Sequence, residues 1–469
     1  MEKQSDTSIL IGNGLNINFG GNAYSNQFLI KRIIFNARAN KYAPLFNGVI
    51  QGDEIARIFV ELANWVNEIT DGKYDDIIPD EEKHILEDFK SRYNWKLEHY
   101  YEVGLEDWLF ILHVYFLKNS DITDNWCSAK QSFERMMLDA IYNDGDIQNL
   151  HQHMGSSVKK WLLQYSKVFT LNYDNNIENL IKRPAFHLHG DFCTPANSED
   201  PNTLLGYIRH QRGENVSIPS GFEHCFCNAF FDYAGEHKYE IAYAFERGEE
   251  GIRALDKSGF PLKLLPERIE DLLRVHQEHP ELAVGCNYHF NEFKGLTGEL
   301  HIIGMSPNND AHIFKLIDRS NIEKVVFFYY SDKEEKKKIS VHQKVEYRSA
   351  QELWKRLKAF PKQYNCNYSF PDLKKNEVFI ELINQMSGDK VSIDDIIKSA
   401  NSIPRFKAEE LCRSVMSKLS TLKESEPLKD EPEQQRRLRE ISRIALRNGI
   451  LPSALYLHVI MYMSKNKNL

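Results

Sequence analysis

The sequence predicts an α/β fold built on a parallel sheet, and three observations carry that prediction. Short apolar runs ending in glycine or a polar turn recur, at Ser8-Ile-Leu-Ile-Gly12, Lys167-Val-Phe-Thr-Leu171, Ala185-Phe-His-Leu-His189, Glu299-Leu-His-Ile-Ile-Gly304 and Lys324-Val-Val-Phe-Phe-Tyr-Tyr330. Runs of that length read as buried strands. The last two flank a helical segment from Asp310 to Arg319, which makes a β-α-β unit, the building block of a parallel sheet. A long helical stretch separates the first strand from the next.

The elements follow in order. After the first strand the pattern turns helical from about Gln27. Asp53 to Ile69 places Ile55, Phe59, Ala63 and Val66 on one face at spacings of three and four. Pro79-Asp-Glu-Glu starts a helix with acids in its first turn, where the helix dipole favours them. Leu105 to Leu117, Ser128 to Tyr142 and Ile147 to Tyr165 read as further helices, and the whole forms a helical subdomain over about 27–165. Residues 195–295 are an insertion of mixed character. Asp332 to Lys338 is a charged, solvated turn, Val345-Glu-Tyr-Arg348 a last strand and Ala350 to Phe360 a last helix.

Beyond Pro361 the character changes. Ser392-Ile-Asp-Asp resembles a capping box, Pro404 sits where a helix could begin, and Gly449 follows Arg436 to Asn448 as a C-cap. Two units are expected: 1–360, and an all-helical C-terminal domain over 361–469 that could serve as a regulatory or partner-binding region.

Composition narrows the function. The chain has 469 residues, a prior of about three domains. At 42% hydrophobic and 12% aromatic residues it can bury a sizeable core, which argues against disorder. With 59 basic and 67 acidic side chains the net charge is −8, a poor match to direct nucleic-acid binding. The longest apolar runs are strand-sized, so no membrane span is expected. The N-terminus shows no signal-peptide pattern, and a cytoplasmic location is expected. Seven scattered cysteines do not suggest a disulfide framework. Cys225 and Cys227 beside His224 lack the second cluster a structural zinc uses, and no metal is expected.

Four polar turns follow four of these strands. Gly12-Asn13-Gly14 would let backbone approach a diphosphate at the N-terminus of the next helix; alone, such a glycine pair is more often an ordinary tight turn. Thr170-Leu-Asn172-Tyr-Asp174 places an Asn where a ribose hydroxyl or a water could be held, or where the helix beginning near Asn175 is capped. In His187-Leu-His189-Gly190-Asp191 the two histidines share a strand face, and His189 at the strand end suits a general base; the alternative is a pair satisfied in a polar core. Gly304-Met-Ser306-Pro-Asn-Asn309-Asp310 offers Ser306 for phosphate and Asn309 or Asp310 for a ribose, or a plain helix cap. Together these turns would converge on one sheet edge as a nucleotide site.

The order Gly-Asn-Gly, Leu-Asn-Tyr-Asp, His-Leu-His-Gly-Asp and Gly-x-Ser-x-x-x-Asp resembles sirtuin-like NAD-hydrolysing domains of bacterial anti-phage defence systems. It is also similar to the abortive-infection H family, in which Gly-Asn-Gly replaces Gly-Ala-Gly; Gly20, Tyr24, Ser25 and Phe28 fit that likeness. The resemblance covers about 7–350, apart from 195–295, and excludes the C-terminal helices. It implies a Rossmann-like sheet with a helical subdomain, NAD as substrate, and no metal. Asn172 falls on the catalytic Asn that orients the nicotinamide ribose and the attacking water, and His189 on the general base. Gly12, Asn13 and Gly14 fall on the diphosphate loop, with Asn16 and Asp174 beside it. Gly304, Ser306 and Asp310 fall on the adenosine side. Asn13 departs from the small Ala of sirtuins, the sirtuin Asp-Phe-Arg segment is missing, and so is the sirtuin zinc module, which counts against deacylation.

The expected function is therefore an NAD glycohydrolase and defence effector, releasing nicotinamide and ADP-ribose when triggered. A regulatory or sensor subunit and assembly as a homo-oligomer or hetero-complex are expected by the same likeness. The alternative is a non-catalytic nucleotide-sensing module that signals through its C-terminal helices.

Overall fold

A computed structural model describes residues 7–359 except 48–49, 51, 94, 98–99, 120–125, 214–216, 230–234, 258–268, 308–309 and 332–337. The expected C-terminal helical domain, most of the charged turn at 332–338, and Asn309 lie outside the described residues. Six strands form one sheet: β1 (Thr7–Ile11), β2 (Val168–Thr170), β3 (Phe186–His187), β4 (Thr297–Ile303), β5 (Asn321–Tyr329) and β6 (Lys344–Ser349). Their spatial order is β3-β2-β1-β4-β5-β6 and every neighbouring pair is parallel. This is the doubly wound, Rossmann-like order, with the chain reversing direction across the sheet between β1 and β4.

The strands are apolar on both sides because both faces are covered. Ile9 and Ile11 of β1 face one core and Leu10 the other, and all three are fully buried. Val326 and Phe328 of β5 share the core of Ile9, while Val325 and Phe327 share that of Leu10. Burying each such side chain contributes about 1.5–3 kcal/mol. The first core is filled by the helices between β1 and β2, including Phe59 against Trp108 with ring centroids 4.6 Å apart, and by Trp354 of the last helix. The second is filled by the insertion helices Leu204–Gln211, Glu236–Phe245 and Ile269–Glu278 and by the crossover helix Ala311–Asp318. The insertion is thus the second layer of a three-layer sandwich; among its described residues, Phe222 and its neighbours to Ala229 reach the first core instead, as does Phe192 just before it.

Two expected helices are each divided. Asp53 to Ile69 is split into Gly52–Leu62 and Trp65–Thr70. At the break the Val66 amide bonds the Ala63 carbonyl three residues back, and the Trp65 ring stacks on Tyr74 at 4.7 Å. Ring packing therefore overrides the continuous apolar stripe. The Ile147 to Tyr165 segment divides at Gly155, whose extended backbone (φ −63°, ψ 170°) opens the helix Ser156–Leu162.

Candidate active site

The carboxyl ends of β1, β2 and β4 open onto a cleft of about 570 Å³, a size suited to a small-molecule ligand. It lies at the topological switch point, where open parallel sheets bind ligands. Its floor is a contact between two glycine turns. Gly12 donates its N–H to the Ile303 carbonyl at 2.9 Å, and Gly14 donates to the Gly304 carbonyl at 2.8 Å. A Cβ on Gly12 would meet the Gly304 oxygen at 2.6 Å, and one on Gly14 the Gly304 Cα at 2.5 Å. Gly304 itself has φ +75°. The glycines thus let the β1 and β4 turns touch backbone to backbone, and the two glycine N–H groups are spent on that contact. Asn13 is exposed on the floor, and its side-chain amide donates to the Tyr24 carbonyl at 3.0 Å. The helix that follows, Gly14–Gly20, is only seven residues long.

Asn172 follows β2 and lines the cleft. Its carboxamide makes no hydrogen bond to any described residue, and the cap of the helix Asn176–Ile181 is Asn175 instead. The backbone of Asn172 is held from behind, where His187 Nδ1 donates to its carbonyl at 2.8 Å. Asp174 is not on the cleft wall. Its carboxylate is enclosed, accepting from Asn16 Nδ2 at 2.6 Å and from the Asn176 backbone at 3.0 Å. Burial raises its pKa above the usual carboxylate value. Asn16 lines the cleft while tying the first helix to the β2 turn.

The two histidines of the β3 turn part company. β3 ends at His187, so the alternation that would put both on one face stops there. His187 bonds Glu178 at 2.7 Å beside a second, more open hollow at the sheet edge. Burial works against its charge, but Glu178 raises its pKa overall. His189 turns into the cleft. Its Nε2 lies 3.3 Å from Nε2 of His312, with the rings nearly parallel. Burial, Lys238 and His312 hold its pKa well below the ordinary value, so the imidazole is neutral at neutral pH. Burial takes His312 down to about 4.

Behind this pair sits a charged cluster without a local motif. Glu106, on the cleft wall, accepts from Lys238 Nζ at 2.8 Å and from the Tyr173 hydroxyl at 2.6 Å. Burial pushes its carboxyl up, but Lys238 outweighs that and holds it ionised. Asp310 also lines the cleft, and makes no side-chain cap for the helix Ala311–Asp318. Burial and Glu106 push it up to about 7. Ser306 joins the wall beside Gly304. Arg92 is the one basic side chain among the described wall residues, and it is committed to Asp107 at 2.7 Å and Asp88 at 2.5 Å. Trp95 and Tyr330, both about half exposed, stand at the cleft.

The structure therefore brings together Gly12, Asn13, Gly14, Asn16, Asn172, His189, Gly304, Ser306 and Asp310, and sets Asp174 behind them. Sequence reasoning missed Glu106, Lys238 and His312. Glu106 and Lys238 come from distant segments with no recognisable spacing, whereas His312 was within reach, two residues beyond Asp310. His224 and Cys225 meet Asp139 rather than Cys227. Lys41 occupies that carboxylate at 2.7 Å and His224 stacks on Tyr142 at 4.0 Å, so an ammonium already fills the cation's place. Comparison with protein-family models, with curated proteins and with solved structures finds no match.

No helix among the described residues is long and apolar enough to cross a membrane.

Proposed function

We propose that the cleft hydrolyses NAD, taken as substrate, to nicotinamide and ADP-ribose. The observation that carries the reading is that Asn172 and His189 both line a cleft at the β1/β4 switch point, as the likeness to sirtuin-like NAD-hydrolysing domains implies. Water adds to the ribose carbon as the bond to nicotinamide breaks. The electron pair leaves with nicotinamide, which departs neutral, and the water proton passes to a base. The ribose carbon gains positive charge on the way, so the site must offer negative charge and a held water.

Asn172, with an uncommitted carboxamide, would hold the ribose hydroxyl and the water. Neutral His189, its Nε2 turned to His312, would take the proton on Nδ1. The ionised Glu106 adds negative charge to the wall. The substrate's diphosphate would lie toward Asn13 and Ser306, because the N–H groups of Gly12 and Gly14 are already bonded. The biological output is NAD loss in infected cells once triggered, with control by a sensor subunit or by self-association, by the same likeness; a cytoplasmic location is proposed alongside it.

A second reading has specific support. His189 is a weak base, and Arg92 is not free for phosphate. A non-catalytic nucleotide sensor accommodates both. Chromatography of NAD incubated with the full chain separates the two readings. A hydrolase releases nicotinamide from wild type and not from His189→Ala; a sensor binds NAD and releases none.

A further inference from the structure

The Lys83–Arg92 helix, part of the layer between β1 and β2, packs against the insertion helix Glu236–Phe245 from the other layer. At their seam three donor side chains meet. His237 and Glu240 lie three residues apart, hence on one face of their helix, and His84 reaches them from the other helix. One ligand atom from each falls within 4.8 Å of the others. His84 Nε2 stands 3.6 Å from a Glu240 carboxylate oxygen, and the two imidazole centroids are 5.9 Å apart. His237 is buried, while His84 and Glu240 are part-exposed, so the cluster has a fixed inner ligand and a side open to water.

We propose that His84, His237 and Glu240 form a binding site for a zinc-class divalent cation that staples the two layers together beside the cleft. Two imidazoles and one carboxylate, with a fourth position open to water, are a ligand set that zinc accepts. Ligand bonds of about 2 Å require donor atoms somewhat closer than those here, so the side chains would draw together as the ion binds. The surroundings favour a cation. Burial raises the pKa of Glu240, Glu236 and Asp88 add to that, and His84 and Lys315 work against it, so the carboxylate is a partly buried anion whose charge a divalent ion would offset. Lys315, which acts on Glu240 through space, is paired at contact distance with Glu236, and the ion pair of Glu240 among the described residues is with His84. This distinguishes the site from Asp139, His224 and Cys225, where Lys41 already supplies the positive charge. The staple would reach the cleft through the chain itself: Lys238, which holds Glu106, is the residue after His237, and Arg92 ends the helix that carries His84.

The test uses the full chain freed of metal by a chelator, titrated with Co²⁺ followed by visible absorption and with Zn²⁺ followed by calorimetry and thermal melting. The site predicts one equivalent of Co²⁺ with a visible band, its displacement by Zn²⁺, and a rise in melting temperature on adding Zn²⁺. His84→Ala and Glu240→Gln, both at part-exposed positions, should each weaken binding by about tenfold or more and abolish the thermal shift. Absence of a bound equivalent in wild type overturns the proposal. Binding equally tight in both variants also overturns it, because the ion would then sit elsewhere. Neither readout depends on NAD turnover.

Discussion

His189 and His312 share one contact and one problem: two imidazoles 3.3 Å apart in a buried place cannot both carry charge. Their pKa values are held down, His312 to about 4. The sign of the pH effect follows. Between the unfolded value of 6.5 and about 4, the unfolded chain binds protons that the folded state excludes, so the histidines' contribution is lost as pH falls through that window. Asp310 acts oppositely, since its carboxyl, raised from 3.8 to about 7, keeps a proton when folded that the unfolded chain gives up. Replacing His312 by Gln should therefore flatten the acid loss. Denaturant midpoints at about pH 7 and about pH 5 read it directly: the variant keeps a larger share of its neutral stability than wild type. Parallel profiles for the two proteins would refute the account of the pair.

At the scale of elements, the glycine turns after β1 and β4 are one unit. A methyl on Gly304 would meet the Gly12 oxygen at 2.8 Å and the Leu15 nitrogen at 2.9 Å, both backbone atoms, and φ is +75° there. Gly304→Ala should cost about 1–3 kcal/mol in urea unfolding and push the cleft floor apart. An unchanged midpoint would show that the two turns are free to separate. These turns were legible in the sequence because each follows a short apolar strand and each carries glycine. β1, β2, β4 and β5 were legible for the same reason, since both faces are buried and their runs are continuous. What was not legible was the use of the glycines. A Gly-Asn-Gly turn looks the same whether its amides face a phosphate or a neighbouring strand end, and here Ile303 and Gly304 take them. His187 shows a similar limit: β3 stops at that residue, and no local pattern marks where an edge strand stops pairing.

Across the whole molecule, the ion pair of Glu106 with Lys238 joins the layer between β1 and β2 to the insertion layer. Glu106 precedes the helix Asp107–Lys118 and Lys238 sits on Glu236–Phe245, more than a hundred positions away, which is why spacing could not reveal the pair. Lys238→Met leaves a carboxylate on the cleft wall without its ammonium. Breaking one side of a buried pair costs about 3–5 kcal/mol, and removing the charge as well, in Glu106→Gln with Lys238→Met, should recover part of it. Chemical denaturation of the single and double variants tests this, and strictly additive losses would deny the coupling.

Hydrolysis of NAD in the cleft at the switch point is the reaction proposed for this chain. It is tested most directly by measuring, on the same full-length preparation, NAD binding by calorimetry and nicotinamide release by chromatography, for wild type and Asn172→Ala. The expected outcome is release by wild type and none from Asn172→Ala, with a far-UV circular dichroism spectrum unchanged in the variant. Saturable NAD binding by wild type with no nicotinamide released even after infected-cell lysate is added as the source of the trigger, or release undiminished by Asn172→Ala, would contradict it.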